Sequence, residues 1–182
     1  MSINLNDIPL DCGHNLGGIH YLRINPVYNV KSIPGSVAHV IQQPIQLYDP
    51  QHYADIWFVT GGFTEVMTDE ANGEYFKQAI QVYVPKDAPD LAFAIQELTG
   101  VRCICQYVDG NKNAKLVGSL EAPLTFSSEL DTGSDFSDKN GYKLSFKTDS
   151  IHKAFFYLMY EGDTPPPRKA FSSGFSYGFL RS

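Results

Sequence analysis

Two segments of alternating polarity place the strongest constraint on the fold, because they can pair in only one register. In residues 124–131 (LTFSSELD) and 142–148 (YKLSFKT), the large apolar side chains all fall at even positions. An antiparallel pairing that satisfies both faces sets Leu130 opposite Tyr142, Ser128 opposite Leu144, Phe126 opposite Phe146 and Glu129 opposite Lys143. A shift of one residue would turn Lys143 and Lys147 towards the core. The alternation therefore predicts a hairpin with residues 132–140 as its loop.

Other segments add strands around this hairpin. Residues 17–24 (GGIHYLRI) predict a strand, and residues 54–68 and 74–85 predict two more around the polar turn DEANG. Residues 101–118 (VRCICQYVDGNKNAKLVG) predict a further hairpin that turns at Asp-Gly-Asn. With 11 tyrosines and 12 phenylalanines in 182 residues, the composition also favours a β-rich fold.

One helix is expected over residues 87–100 (DAPDLAFAIQELTG). Asp87 is the expected N-cap, Pro89 suits the first turn, and Gly100 suits the C-terminal end. The apolar residues at helical spacing predict a helix that lies on a sheet; they are Leu91, Ala94, Ile95 and Leu98.

The length and the proline pattern predict one domain. We expect a single β-rich domain over residues 1–160, with a long irregular section at 25–52 that contains prolines 26, 34, 44 and 50. Residues 161–182 then form a C-terminal extension or arm. Within this extension, three prolines are followed by a run of glycine-spaced aromatic residues. The extension either docks on a neighbouring subunit or folds back on its own domain.

The segment Asp131-Thr132-Gly133-Ser134 matches the residues around the catalytic aspartate of pepsin-like proteases. Such an enzyme needs two of these aspartates, and this chain has one Asp-Thr-Gly, so only a symmetric dimer would supply the second. The acidic residues nearby do not have the spacing of an EF-hand calcium loop. The preferred interpretation is a solvated turn, because turn positions favour Asp, Asn, Ser and Gly.

Metal and cofactor chemistry is not indicated elsewhere. A Cys3His zinc site could use the side chains of Cys12, His14, Cys103 and Cys105, but their spacing is not a recognised zinc spacing. The preferred interpretation is that the cysteines are buried as small apolar side chains. No nucleophile elbow, phosphate-binding loop or dinucleotide fingerprint occurs, so we expect no enzymatic activity and no cofactor.

The charge distribution argues against a nucleic-acid-binding surface. The net charge is −6, and residues 1–76 contain two basic residues against eight acidic ones. We find neither a run of 18 apolar residues nor a signal-peptide pattern, so we expect no membrane anchor and no export by that route. Three cysteines do not make a disulfide framework, and a reducing compartment is expected.

The order of the elements resembles a known group of proteins. The helix APDLAFAIQELTG, the hairpin VRCICQYVDGNKNAKLVGS and the segment EAPLTFSSELDTGSDFSDKNGYKLSFKTDSIHKAFFY follow one another. Together they resemble small structural tail proteins of phages and prophages of Bacteroidetes-type hosts, with the tail-tube protein of long-tailed phages as the nearest architecture. The resemblance covers residues 63–157 and is one of element order.

This resemblance implies a mainly β fold, namely a β-sandwich or partly closed barrel of antiparallel strands with one flanking α-helix. It also implies a structural virion protein, made in the host cytoplasm and located in the tail, whose copies form hexameric rings. The rings would stack around a channel that DNA passes through without specific binding, and other tail proteins would be further partners. The alternatives are another tail component, such as a terminator, connector or baseplate protein, and remotely an aspartic-type hydrolase.

Tube subunits use a long hairpin and a terminal arm to join rings, so the resemblance also implies contact residues. In the hairpin turn these are Asp69, Glu70 and Asn72. In the C-terminal extension the candidates are Phe171, Phe175, Tyr177 and Phe179.

Overall fold

A computed structural model describes residues 15–70, 73–135 and 138–158. Within them the chain is mainly β, with one α-helix, α1 (Pro89–Leu98), and one 3-10 helix (Val27–Asn29). In chain order the strands are β1 (Ile19–Pro26), β2 (Val30–Ser32), β3 (Val40–Ile41), β4 (Gln46–Leu47), β5 (Ala54–Ile56), β6 (Thr60–Glu70), β7 (Gly73–Pro85), β8 (Arg102–Asp109), β9 (Ala114–Val117), β10 (Leu124–Asp131), β11 (Gly141–Ser150) and β12 (Phe155–Tyr157).

Ten of these strands form one bent sheet that folds into two layers. The first layer has the order β5-β1-β8-β9-β12-β3, and the second has the order β10-β11-β7-β6. The layers join at a corner where β8 pairs with β10 through Cys103–Leu124 and Arg102–Thr125. The result is sandwich-like.

The expected register of β10 with β11 is confirmed. Leu130 lies opposite Tyr142, Phe126 opposite Phe146 and Glu129 opposite Lys143. On β11 the even side chains from Tyr142 to Phe146 are buried, as the alternation requires. The hairpins β6–β7 and β8–β9 are also found. The single strand expected over residues 54–68 is interrupted at residues 57–59, so that β5 pairs with β1 and β6 pairs with β7.

The inner face of β10 is less covered than its alternation suggests. Leu124 is fully buried, but Ser128 and Leu130 are exposed although they face inwards. The cause is the short pairing with β8, which ends after two residues of β10. The rest of β10 then forms an edge of the second layer.

The expected mainly β, sandwich-like architecture with one α-helix is confirmed, and two details refine it. The strand order is open, since no described strand joins β6 to the far end of the first layer, so the sheet does not close into a barrel. The strands are not all antiparallel either, because β12 pairs with β3 in parallel, with Phe156 opposite Val40. A long connection brings these two short strands together from opposite ends of the described chain.

The main core lies between the two layers. Leu22 and Ile24 of β1 contribute from the first layer, and Ile80 of β7 and Phe146 of β11 from the second, all at 0% exposure. Buried side chains alternate along β7 and β11, so the burial of Ile80 and Phe146 favours the observed register of these two strands.

Helix α1 packs on this core through Leu91, Ile95 and Leu98. Ala94, expected on the same stripe, is exposed. Asp87 is not the N-cap: that position is Ala88, which makes no side-chain capping bond. The Asp87 carboxylate instead accepts a 2.7 Å hydrogen bond from the Tyr142 hydroxyl.

A second core covers the other face of the first layer. It contains Ile104 and Leu116 of the sheet together with Val30, Ile41 and Ile45, which come from the section at 25–52. This section contains the 3-10 helix and the short strands β2, β3 and β4. Strand β2 pairs with β4 in a separate two-stranded sheet. The section is therefore anchored on the sheet by its few apolar side chains.

Candidate functional site

Strand β6 is an edge strand of unusual length. Over its eleven residues it pairs with β7 on one side, and no described strand pairs with its other side. Near its start, the strand passes close to β1, since a Cβ atom added to Gly61 would lie 2.8 Å from the Ile19 side chain. Beyond this point the backbone amides and carbonyls of β6 form an edge to which another strand can bind.

Apolar side chains are exposed on both faces of the β6–β7 hairpin. Val66 and Met67 are each 58% exposed, and neighbouring residues of a strand point to opposite faces. Met67 lies opposite Phe76, and the Lys153 ammonium group lies 5.6 Å from the centre of the Phe76 ring. A partner that pairs with this edge would therefore bury apolar surface on either side of the new strand.

The hairpin tip, residues 68–75, contains a hydrogen-bonded group around Glu70. The Tyr75 hydroxyl donates a 2.6 Å hydrogen bond to Glu70 Oε1, and Lys77 Nζ lies 3.4 Å from the same oxygen. These contacts lower the pKa of the Glu70 carboxyl, with the Tyr75 hydrogen bond as the main cause. Glu70 is thus engaged within its own hairpin.

Asp69 is placed differently from Glu70. It lies directly opposite Glu74 across the hairpin, and neither carboxylate forms a salt bridge with a described residue. Two like charges in this arrangement repel each other and favour a cationic partner. Asn72, the third residue expected to make contacts here, lies outside the described residues.

The second layer presents a concave outer face beside the β6 edge. The face consists of the outward side chains of four adjacent strands, and its volume is about 1000 Å³. The strand pairings arrange these side chains in rows across the sheet: Thr60–Tyr83–Lys143–Glu129, Gly62–Gln81–Ser145–Ser127 and Thr64–Ala79–Lys147–Thr125. Many of these side chains are small, so the surface is shallow.

Charges of both signs balance on this outer face. Lys143 Nζ lies 3.6 Å from Glu129 Oε1 and 3.9 Å from Asp131 Oδ2. All three side chains are more than half exposed, so these pairs stabilise the fold very little. The balance does not favour binding of a phosphate backbone.

Asp131 lies at the end of β10 and forms part of the loop that follows. Its Oδ1 atom accepts a 3.0 Å hydrogen bond from the Gly133 amide, and Gly133 has a φ of +70°. Asp138 Oδ2 accepts hydrogen bonds from the amides of Ser134 and Asp135, which lower the pKa of its carboxyl. The turn interpretation of this segment is confirmed by these contacts.

The structure does not assemble the cysteines into a site within the described residues. Cys103 and Cys105 are buried free thiols on β8, and burial raises the pKa of the Cys105 thiol. Cys12 and His14 lie outside the described residues. No cluster of three or more His, Cys, Asp or Glu side chains that could bind a metal occurs in the described part of the chain.

One buried ion pair is not predicted from the sequence. Arg23 of β1 and Asp55 of β5 approach to 2.8 Å, and the Tyr21 hydroxyl donates a 2.7 Å hydrogen bond to the same carboxylate. The Arg23 guanidinium also lies 3.9 Å from the centre of the Tyr53 ring. A lone arginine between the apolar residues Leu22 and Ile24 of β1 is the one signal in the sequence, but its partner is distant in sequence.

Phe171, Phe175, Tyr177 and Phe179 lie outside the described residues, so their contacts stay predictions. Among the described residues, no helix is long and apolar enough to cross a membrane. Comparison of the chain with protein-family models, curated proteins and solved structures finds no match.

Proposed function

We propose that the protein is a non-enzymatic structural subunit that assembles with copies of itself through the β6 edge. The observation that carries this proposal is the unpaired edge of an eleven-residue strand flanked by the exposed side chains of Val66 and Met67. Soluble proteins usually keep edge strands short or block them, because a long free edge recruits another strand. Here the edge is available and apolar surface lies beside it.

The specific assembly that we propose is the tail of a long-tailed phage, with the tail tube as the first candidate. The resemblance in element order supports this role, and the sandwich-like fold with one helix agrees with the fold that this resemblance implies. In such a tube the subunits would form rings, hexameric by analogy, and DNA would pass through without specific contacts. The balanced charges on the outer face agree with that absence of specific DNA binding.

The second candidate is another tail component, such as a terminator, connector or baseplate protein. The section at 25–52 favours it, because this section adds a second core that a simple tube subunit does not need. Both candidates require self-association or association with other tail proteins. They differ in the shape of the assembly, which electron microscopy distinguishes.

The test compares the wild-type protein with a hairpin variant, Val66→Glu with Met67→Glu. Both side chains are exposed, so the variant should fold with an unchanged melting temperature but should not assemble. The control variant, Val37→Glu with Phe93→Glu, adds the same charge at positions that are equally exposed and lie away from β6. Sedimentation velocity and negative-stain microscopy measure assembly.

We expect rings or tubes for the wild type and the control, and monomers for the hairpin variant. A wild-type protein that stays monomeric at high concentration would contradict self-assembly. A control that loses assembly as fully as the hairpin variant would show that added charge, rather than the β6 edge, is responsible.

A further inference from the structure

The end of the sequence alternates between aromatic and small residues. In residues 171–179 (FSSGFSYGF) all four aromatic residues fall at odd positions, and every even position is serine or glycine. Successive side chains of a strand point to opposite faces, so in an extended backbone the four rings lie on one face. This pattern predicts a strand that buries one face against a partner. The segment itself lies outside the described residues.

The free edge of β6 fits such a strand. Beyond the contact with β1, the edge covers residues 63–70 and is nearly as long as the aromatic segment. Phe63 lies opposite the fully buried Ile80, and Met67, four residues further on, shares the inner face with Phe63. A strand that joins this edge with its rings inwards therefore places them beside Met67, which is otherwise 58% exposed.

The side of the sandwich next to β6 also exposes aromatic surface. The Lys115 ammonium group of β9 lies 5.8 Å from the centre of the Phe63 ring and 4.8 Å from that of the Phe156 ring. Phe156 of β12 is 40% exposed, and no described strand closes the sandwich between β6 and β12. The inward rings of an added strand can cover this opening, because it lies on the same face of β6 as Met67.

The charges of the two segments are complementary. Strand β6 has three acidic residues and no basic one, whereas residues 164–182 have three basic residues and no acidic one. At the end of β6, Asp69 lies opposite Glu74, and neither forms a salt bridge with a described residue. Arg168 and Lys169 precede the aromatic run. Antiparallel pairing brings these two cations to the acidic end of β6, where they relieve the repulsion between the carboxylates.

The sequence between the described chain and the aromatic run favours a partner in another copy. Three consecutive prolines occupy positions 165–167. They favour a stiff, extended backbone of about 3.1 Å per residue. Such a spacer directs the aromatic run away from its own domain rather than back onto the adjacent sheet.

We propose that residues 171–179 of one copy bind as an antiparallel strand along the β6 edge of a second copy, with their aromatic face towards Met67. This inference rests on the proposed function and names the partner of the same edge. Backbone hydrogen bonds hold the added strand, and the side chains give it specificity. Four aromatic side chains bury about 150–250 Å² each, which together is close to the roughly 800 Å² per partner of a stable interface.

The first test inverts the alternation in the full chain without a change of composition. The swapped variant combines Phe175→Ser, Ser176→Phe, Tyr177→Gly and Gly178→Tyr, so two rings move to the other face of the strand. We expect this variant to lose assembly in sedimentation velocity and to keep the wild-type melting temperature. The control, Ser172→Thr with Ser176→Thr, keeps the alternation and should assemble as the wild type does.

The second test mixes the swapped variant with the hairpin variant, Val66→Glu with Met67→Glu. The hairpin variant keeps an intact aromatic segment, and the swapped variant keeps an intact β6 edge. Each should be monomeric alone, whereas the mixture should form a one-to-one complex with twice the mass of one chain. A strand that pairs within its own copy gives no complex in the mixture.

The outcomes separate this inference from the proposed function. If the swapped variant assembles as fully as the wild type while the hairpin variant stays monomeric, the β6 edge has another partner and the inference is wrong. It is also wrong if the mixture contains only monomers. A wild-type protein that is itself monomeric overturns the proposed function and the inference together.

Discussion

The rings of Phe126 and Phe146 pack with their centres 5.1 Å apart, yet only Phe146 is fully buried. Phe146 lies on β11 inside the second layer, whereas Phe126 lies on the part of β10 that no longer pairs with β8. We expect Phe146→Ala to lower the free energy of unfolding by about 3–5 kcal/mol. Phe126→Ala should cost about 1–2 kcal/mol, because less apolar surface is lost from the core. Urea denaturation measures both.

Equal losses for the two variants would contradict the difference in burial. The control is Leu130→Ala, on the same strand but 44% exposed, which should change stability by less than either.

The N-terminus of α1 offers a stabilising substitution. Ala88 occupies the N-cap with an extended backbone and no side-chain capping bond. Ala88→Ser should supply the missing acceptor and raise stability by about 0.5–1.5 kcal/mol. Thermal unfolding checks this, with Ala88→Val as a substitution that provides no acceptor and should give no gain.

Alkaline pH should destabilise the protein through Tyr107. Burial raises the pKa of its phenol above the ordinary value of about 10. The unfolded chain therefore loses this proton at a lower pH than the folded one, so the contribution is complete below about pH 10 and falls as pH rises further. Tyr107→Phe keeps the ring and removes the proton, so it should flatten the decline.

Urea midpoints between pH 8 and 11.5 measure this effect. If the wild type and Tyr107→Phe decline in parallel, the phenol of Tyr107 is not responsible. The buried Tyr21 phenol, whose pKa burial also raises, would then be the next residue to replace.

Asp131→Asn should leave stability and assembly nearly unchanged. An asparagine oxygen can still accept the hydrogen bond from the Gly133 amide, and the lost contact with Lys143 is an exposed pair at 3.9 Å. Melting temperature and sedimentation check the variant. A proteolytic activity in the wild type that disappears in Asp131→Asn would overturn the structural interpretation of this loop.

Deletion of residues 164–182 should separate folding from assembly. All strand pairing described above lies within residues 15–158, so we expect the shortened chain to fold. If Phe171, Phe175, Tyr177 and Phe179 join subunits, the deletion abolishes higher assemblies. A large fall in monomer stability with unchanged oligomer size would instead support folding back on the same domain.

Much of the local structure could be predicted because side-chain alternation is a local signal. The register of β10 with β11 follows from Phe126, Phe146 and Lys143 alone, and the β6–β7 hairpin follows from its polar turn. Gly100 has the positive φ, +80°, that its place after α1 predicts. The prediction that Asp87 is the N-cap was wrong, because its carboxylate accepts a hydrogen bond from Tyr142, which is far away in the sequence.

The candidate sites depend on contacts between distant segments, and these have no local signature. Nothing in the sequence near Asn25 indicates that its amide is buried without a hydrogen-bond partner among the described residues. The β6 edge is likewise a property of the strand order, in which β1 turns away to pair with β8. Asp69 and Glu70 both lie on the hairpin, but their different bonding depends on Tyr75 and Lys77, which approach Glu70.

The parallel pairing of β3 with β12 has a consequence for the time course of folding on the ribosome. Phe156 must be synthesised before it can pair with Val40, so the second core stays incomplete until nearly the whole described chain has emerged. Contacts of such long sequence separation form slowly. The β6–β7 hairpin needs only neighbouring residues and forms much earlier, which leaves its edge accessible to a nascent neighbour before the subunit itself is finished.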